Sequence, residues 1–349
     1  MGEIERITVL AGGIGAARFL VGLKAARPDA DITVIGNTGD DIWLYGVKIC
    51  PDLDTVMYTL GDGISAERGW GREDESFVVK EELTAYGQGP DWFGLGDRDL
   101  ATHLVRTSLL TAGHSLSYAT DALCQRWKPG VRLLPMSDQR VETHVVVDSE
   151  SGGTEAIHFQ EWWIRHRATL RAQGFVAVGI EDAKPAPGVI DAIDTADVVI
   201  LPPSNPVVSI GAILGVPGIR DALRRTAAPV VGVSPIIGGA PVRGMADACL
   251  ATIEVDTSAT AVAAHYGART TRVPAGGDGG GILDGWLIDD ADAMSPAGAP
   301  ALGALEACGI AVRSMPLLMT DLDASTRIAH GALDLATTII GSSPRPSAS

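Results

Sequence analysis

The opening 36 residues constrain the fold most. Residues 7–10 form a short apolar run, Gly12-Gly13-Ile14-Gly15 breaks it, and a helical pattern covers residues 16–26. Pro28-Asp29 ends that helix, and residues 32–35 read as a second strand. Strand, glycine turn, helix, strand is a βαβ unit, which implies a parallel sheet. The turn places backbone N–H groups at a helix N-terminus, where a phosphate is well accommodated. A redox dinucleotide is disfavoured there. Counting from Gly13-x-Gly15, the third glycine position holds Arg18, and the second strand ends on Asn37 where an acid for the ribose belongs. Arg18 suits bidentate phosphate contact. The loop is therefore expected to bind phosphate, with a bare packing turn as the plainer alternative.

Residues 36–63, GNTGDDIWLYGVKICPDLDTVMYTLGDG, carry two acid pairs, Asp40-Asp41 and Asp52-x-Asp54, and a fifth carboxylate at Asp62. Acids this close repel one another unless positive charge lies among them. A site for a hard cation and a polar substrate is expected. Oxygen ligands suit Mg²⁺, which takes only one or two protein carboxylates and leaves its other positions to water and phosphate. The alternative uses are structural: Asp54 capping a helix that begins at Thr55, and Asp40 closing a turn after Gly39.

Residues 43–163 hold six of the seven tryptophans. Glycine breaks separate helical stretches such as 100–112 and 117–127, so residues 61–174 read as a largely helical insertion on the sheet. Aromatics beside a carboxylate-rich loop point to a flat, partly apolar ligand held by stacking, or else to the insertion's own small core. Residues 96–103, GDRDLATH, open a helix on which Asp97 or Asp99 is expected as a cap. Residues 158–163, HFQEWW, form a second polar-aromatic cluster suited to the same pocket.

From residue 175 the βα rhythm resumes. Residues 175–179 and 198–201 are apolar, β-branched runs of the buried parallel kind. The second empties into PPSNP and a helical stretch at 207–214. Ser204, Asn205 and Ser209 thus fall at a strand-to-helix crossover, the edge where open α/β sheets bind ligands. Residues 229–233 repeat the design and end in SPIIGGAPVRG, whose fixed backbone suits reading a base edge; the plainer alternative for both crossovers is a tight βα turn. Residues 283–288 and 310–313 are expected as the last strands, followed by a helix over 323–340. A flexible surface insertion is expected at 270–281 and a disordered tail at 341–349. The fold class is α/β: a Rossmann-like three-layer αβα core (residues 1–60 and 175–340) around a parallel sheet, interrupted by the insertion.

The 349 residues carry a net charge of −16, which disfavours nucleic acid or an anionic membrane as partner. Four dispersed cysteines form no CxxC, which fits a reducing compartment. The N-terminal stretch runs into a strand with no signal-peptide pattern, and no apolar run approaches membrane-spanning length, so a cytoplasmic protein is expected.

Seven stretches occur in order across residues 11–244: GGIGAAR, the 36–63 segment, PDWFGLGDRDLATHLVR, PMSD, HFQEWW, PSNPVVSIG and SPIIGGAPVRG. Together they resemble the 2-phospho-L-lactate transferase family of coenzyme F-420 biosynthesis. The wording near residues 90–106 is similar to its actinobacterial branch, the phosphoenolpyruvate transferases. The resemblance implies transfer of a phospholactyl or enolpyruvyl-phosphate group from a guanosine diphosphate-linked donor to the ribityl hydroxyl of 7,8-didemethyl-8-hydroxy-5-deazariboflavin. GMP leaves, Mg²⁺ is required, and a homodimer is implied. On this resemblance Asp40 and Asp52 would hold Mg²⁺, and Asp54 would orient or deprotonate the attacking hydroxyl, with Asp52 and Asp54 the catalytic pair. Gly12, Gly13, Gly15, Arg18, Ser204, Asn205 and Ser209 would cradle the donor phosphates, while Trp43, Gly94 and Asp97 would face the deazaflavin. The rival reading is a nucleotide-sugar-binding regulator of the gluconeogenesis-factor type, which shares the fold; PDLDT, GDRD and the aromatic insertion argue against it.

Overall fold

A seven-stranded sheet forms the middle layer of the computed structural model, which describes residues 4–149, 151–269, 280–296 and 298–342. Its strands are β1 (Arg6–Ala11), β2 (Asp31–Gly36), β3 (Arg132–Pro135), β4 (Val198–Leu201), β5 (Val230–Val233), β6 (Gly285–Ile288) and β7 (Ala311–Ser314). The order across the sheet is β7-β6-β5-β4-β1-β2-β3, and every neighbouring pair is parallel.

Alternation of side chains explains why the central strands read as continuous apolar runs. On β1, Ile7 and Val9 enter the core on one face and Leu10 the core on the other. On β4, Val198 and Ile200 share the first face, and Val199 and Leu201 the second. Helices Gly13–Ala26, Pro51–Leu60 and Leu322–Ser342 cover the first face. Helices Ile210–Gly215, Ile219–Arg225 and Ala259–Tyr266 cover the second. The chain proceeds outward from β1 through β2 to β3, then returns to place β4 on the opposite flank of β1. That reversal opens a crevice at the carboxyl ends of β1 and β4, where ligands of such sheets bind.

The 61–174 segment departs from the expected helical insertion in its second half. Helices Val78–Ala85, Asp97–Thr111 and Leu116–Trp127 occupy it as far as residue 127, but β3 then joins the main sheet beside β2. Strands Glu142–Asp148, Thr154–His158 and Ala172–Val178 make a separate antiparallel sheet. Val145 and Val147 alternate inward there against Trp162 and Phe159, a period-two pattern. The 175–179 run therefore belongs to an antiparallel strand with one open face, Val176 and Val178 being exposed, and not to a buried parallel one. Residues 270–279 of the expected flexible insertion and 343–349 of the expected tail lie outside the described residues. Among the described residues no helix is long and apolar enough to cross a membrane.

Candidate active site

The loop after β1 meets the loop after β4 at van der Waals distance. A Cβ on Gly12 would lie 2.5 Å from Ser209 Cβ and 3.0 Å from Asp52 Oδ2, and one on Gly15 would lie 2.1 Å from the Pro203 carbonyl oxygen. Glycine is therefore demanded at Gly12 and Gly15 by close approach, and at Gly13 by its φ of 70°. Ser204 Oγ donates to the Gly12 carbonyl at 2.9 Å and ties the loops together. Asn205 Oδ1 accepts from the N–H groups of Val207 and Val208, 2.9 and 3.2 Å away, and fixes the β4 turn. Arg18, one turn along the helix from Gly13, reaches the same crevice.

Four buried carboxylates lie beneath this crevice, and their partners divide them. Asp41 is paired with Lys48 Nζ at 3.0 Å and accepts from Cys50 Sγ. Asp54 is paired with buried Arg106 and faces His103 Nδ1 at 3.6 Å. Asp52 has only neutral donors, Asn37 Nδ2 at 2.9 Å and the backbone of Gly13. Asp40 Oδ1 is buried without a hydrogen-bond partner. Asp40 and Asp52 are thus the two without a cation, and both line the crevice. Burial raises Asp52 to about 6. Burial, followed by the charge of Asp52, raises Asp40 well above the usual carboxylate range.

The main chain carrying Asp40 and Asp41 is clamped from the antiparallel sheet. His158 Nδ1 accepts from the Gln160 N–H at 3.1 Å, so its proton sits on Nε2, which donates to the Asp41 carbonyl at 3.1 Å. Gln160 Nε2 donates to the Asp40 carbonyl at 3.3 Å.

The crevice is a cavity of about 570 Å³. One part is walled by the glycine loop, Asp40, Asp52 and the Ser204–Asn205 turn, and Trp70, Trp92, Phe93 and Trp163 supply aromatic wall. Lys80 and Arg243 add positive charge. Gly94 belongs to this wall, where a Cβ would come within 2.9 Å of the Trp70 ring.

Ten of the expected site residues line the cavity together: Gly12, Gly13, Gly15, Arg18, Asp40, Asp52, Gly94, Ser204, Asn205 and Ser209. Three do not. The helix begins at Pro51 rather than Thr55, so Asp52 and Asp54 both sit in its first turn. Residues two apart on a helix point roughly 200° away from each other. Asp52 consequently faces the crevice while Asp54 faces Arg106, and Asp54 is neither a cap nor a wall residue. Trp43 lies in the hairpin Ile42–Leu44/Val47–Ile49, whose alternation buries Ile42 and leaves Trp43 43% exposed. Asp97 is half-buried and accepts from Ser76 Oγ and the N–H groups of Val78 and Val79, at 2.7, 3.0 and 2.9 Å. It caps the helix Val78–Ala85 that carries Lys80 to the cavity. Lys80, Trp70 and residues 317–319 of the wall had no local sequence signal.

Two acid sets compete as cation sites. Asp54, Asp99 and His103 have ligand atoms within 4.8 Å of one another. Arg106 already neutralises Asp54 and Tyr58 donates to Asp99 at 2.6 Å; Asp54 Oδ2 and His103 Nε2 have no hydrogen-bond partner, but the cluster lies off the crevice wall. Asp40 and Asp52 have uncompensated charge and an unpartnered oxygen, which fits a hard cation with water and substrate completing its shell.

A doubly wound α/β chain with a glycine loop, uncompensated carboxylates and an aromatic wall at one switch point has the equipment of a group-transferring enzyme. Residues 7–299 match the family model described as 2-phospho-L-lactate transferase CofD, and the chain belongs to this transferase family. A Streptomyces griseus protein named phosphoenolpyruvate transferase is 63% identical over 331 residues, covering 95% of this chain and 98% of the relative. One of the same name from Thermobifida fusca is 62% identical over 339 residues, with the same shares covered. A crystal structure of a Bacillus halodurans member of the upf0052 family is similar in fold. Its TM-score is 0.58 at 17% identity, covering 95% of this chain and all of that one.

Proposed function

We propose that the protein transfers an enolpyruvyl-phosphate group, or the closely related phospholactyl group, from a guanosine diphosphate-linked donor to the ribityl hydroxyl of a deazaflavin. The observation that carries this reading is the pairing, in one cavity, of two cation-free carboxylates with a glycine-turned helix N-terminus and five aromatic side chains, Phe159 among them. The names of the relatives supply the transferred group.

The hydroxyl oxygen attacks the distal phosphorus of the donor, the bond to the bridging oxygen breaks, GMP leaves, and the hydroxyl proton is released. Positioning and charge neutralisation supply most of the acceleration in such a step. Asp40 and Asp52 would hold Mg²⁺, whose contribution is to neutralise diphosphate charge and orient its oxygens. Gly12, Gly13 and Gly15 present backbone to the phosphates, and Ser204 and Asn205 hold the facing turn. Arg18 approaches the same oxygens from the helix. Trp70, Trp92, Phe93 and Trp163 exclude water and offer faces for a tricyclic ring. The turn of residues 234–244 contributes Ser234, Pro235 and Arg243 to the wall, where the guanosine end fits. Asp54 is given no proton-transfer role, because its carboxylate is paired with Arg106 away from the cavity.

Fluorescence titration with the deazaflavin tests the acceptor half directly. Saturable binding that weakens when Trp163 is replaced by alanine is expected; no binding of the deazaflavin contradicts the reading.

A further inference from the structure

A second cavity, of about 390 Å³, lies among Arg220, Arg224, His265, Tyr266, Gly280 and Gly281. Its place in the fold separates it from the crevice. Helix Ile219–Arg225 ends where the chain turns into β5, and Gly280 and Gly281 lead into β6. Both segments therefore stand at the amino edge of the sheet, opposite the carboxyl edge that carries the active site.

The pocket's charge is unbalanced. Arg220 and Arg224 are four residues apart on one helix, the spacing at which like charges repel. Arg224 is fixed: Nε and Nη2 donate to the Gly280 carbonyl at 2.9 and 2.6 Å, and Nη1 to Asp221 at 3.3 Å. That bond uses the nearest carboxylate. Arg220 is half-buried, and among the described residues its guanidinium has no hydrogen bond or ion pair. His265 closes the rim as a third basic group. Burial and the charge of Arg224 push Arg220 below its ordinary value, and burial and Arg220 do the same to His265. A half-buried, unpaired guanidinium beside a second one costs stability. In a chain of net charge −16 this concentration of positive charge stands out. Planar guanidinium forks match the oxygens of a phosphate group.

We propose that this amino-edge pocket binds a small phosphate-bearing anion between Arg220, Arg224 and His265, at a site distinct from the transferase centre. The inference does not rest on the donor or acceptor assigned above.

Calorimetric titration of the full-length protein with inorganic phosphate, at constant ionic strength and with divalent cations chelated, tests it. Arg220→Gln is expected to weaken one saturable binding event at least tenfold, and Arg18→Gln, at the opposite edge, to leave that event intact. Arg220→Gln is also expected to raise the unfolding temperature of the phosphate-free protein, because a repulsion is removed, which separates lost binding from failed folding. Equal phosphate binding by the wild type and Arg220→Gln overturns the proposal. So does binding that disappears only with Arg18→Gln. The sequence places an acid at 278, two residues before Gly280. If phosphate binds only after Asp278→Asn, the chain's own carboxylate is the counterion and the proposal fails.

Discussion

Asn37 Nδ2 donates to Asp52 Oδ2 at 2.9 Å, from a fully buried position at the end of β2. The same side chain accepts the Gly39 N–H at 2.8 Å on Oδ1. One amide thus spans the turn carrying Asp40 and the helix carrying Asp52. A dinucleotide-binding chain has an acid at this strand end for a ribose; here a neutral amide joins the two carboxylates assigned to a cation. Asn37→Ala is expected to weaken Mg²⁺ binding about tenfold or more and to destabilise the protein by about 1–3 kcal/mol through the unpaired groups it leaves. Asn37→Asp adds a third negative charge, so the free protein loses stability while added Mg²⁺ stabilises it more than wild type. Thermal unfolding with and without MgCl₂ reads both effects.

The pH dependence follows from Asp52, which burial raises to about 6. The unfolded carboxyl ionises near its ordinary value of 3.8, so between there and about 6 the metal-free protein loses stability as pH rises. A cation competes with the proton and is bound by the ionised form. The increase in unfolding temperature produced by Mg²⁺ should be larger at pH 7.5 than at pH 5, shrinking as Asp52 protonates through about 6, with Asp40, also raised, adding to the same trend. An increase of equal size at pH 5 and 7.5 removes Asp52 from the cation site.

Asp54 and Arg106 form a buried pair on the side of the helix turned away from the crevice. Removing one partner of a buried pair leaves an uncompensated charge and typically costs about 3–5 kcal/mol. Asp54→Asn and Arg106→Met should each lower the denaturant midpoint by that order, and the double change Asp54→Leu with Arg106→Met should recover much of the loss. If Asp54→Asn abolishes turnover at wild-type stability, Asp54 acts on substrate and the present placement is wrong.

The aromatic wall gives a graded expectation. Trp70→Ala and Trp92→Ala should each weaken deazaflavin binding by about tenfold, in line with roughly 0.5–1.5 kcal/mol for an aromatic contact plus the lost buried area. The affinity for the guanosine-linked donor should change less. Equal losses for both ligands would place the ring elsewhere.

Much of the core was legible because buried parallel strands leave continuous apolar runs and the glycine turn marks the first crossover. That Ser204, Asn205 and Ser209 line the crevice was legible from topology, since the loop after a central parallel strand borders the ligand edge of such sheets. The antiparallel sheet was less legible because its strands are short and only Glu142–Asp148 alternates clearly, with Val145 and Val147 buried, whereas the helical patterns at 100–112 and 117–127 dominate the segment before it. Asp52 and Asp54 were grouped at one site, and they point to different sides because the helix begins at Pro51, a start that no capping side chain marks. Lys80 and Trp70 reach the cavity only because Asp97 and the neighbouring turns fold that segment back, and nothing local announces it.

Turnover tests the central claim most directly. The protein is incubated with the deazaflavin, guanosine diphosphate-linked phosphoenolpyruvate and Mg²⁺, and GMP and coupled product are followed by mass spectrometry. Equimolar GMP and a deazaflavin carrying the enolpyruvyl-phosphate group are expected, with Asp40→Asn and Asp52→Asn slower by orders of magnitude. Tight binding of the guanosine-linked compound with neither deazaflavin binding nor GMP release would contradict the transferase account and leave a nucleotide-binding protein in its place.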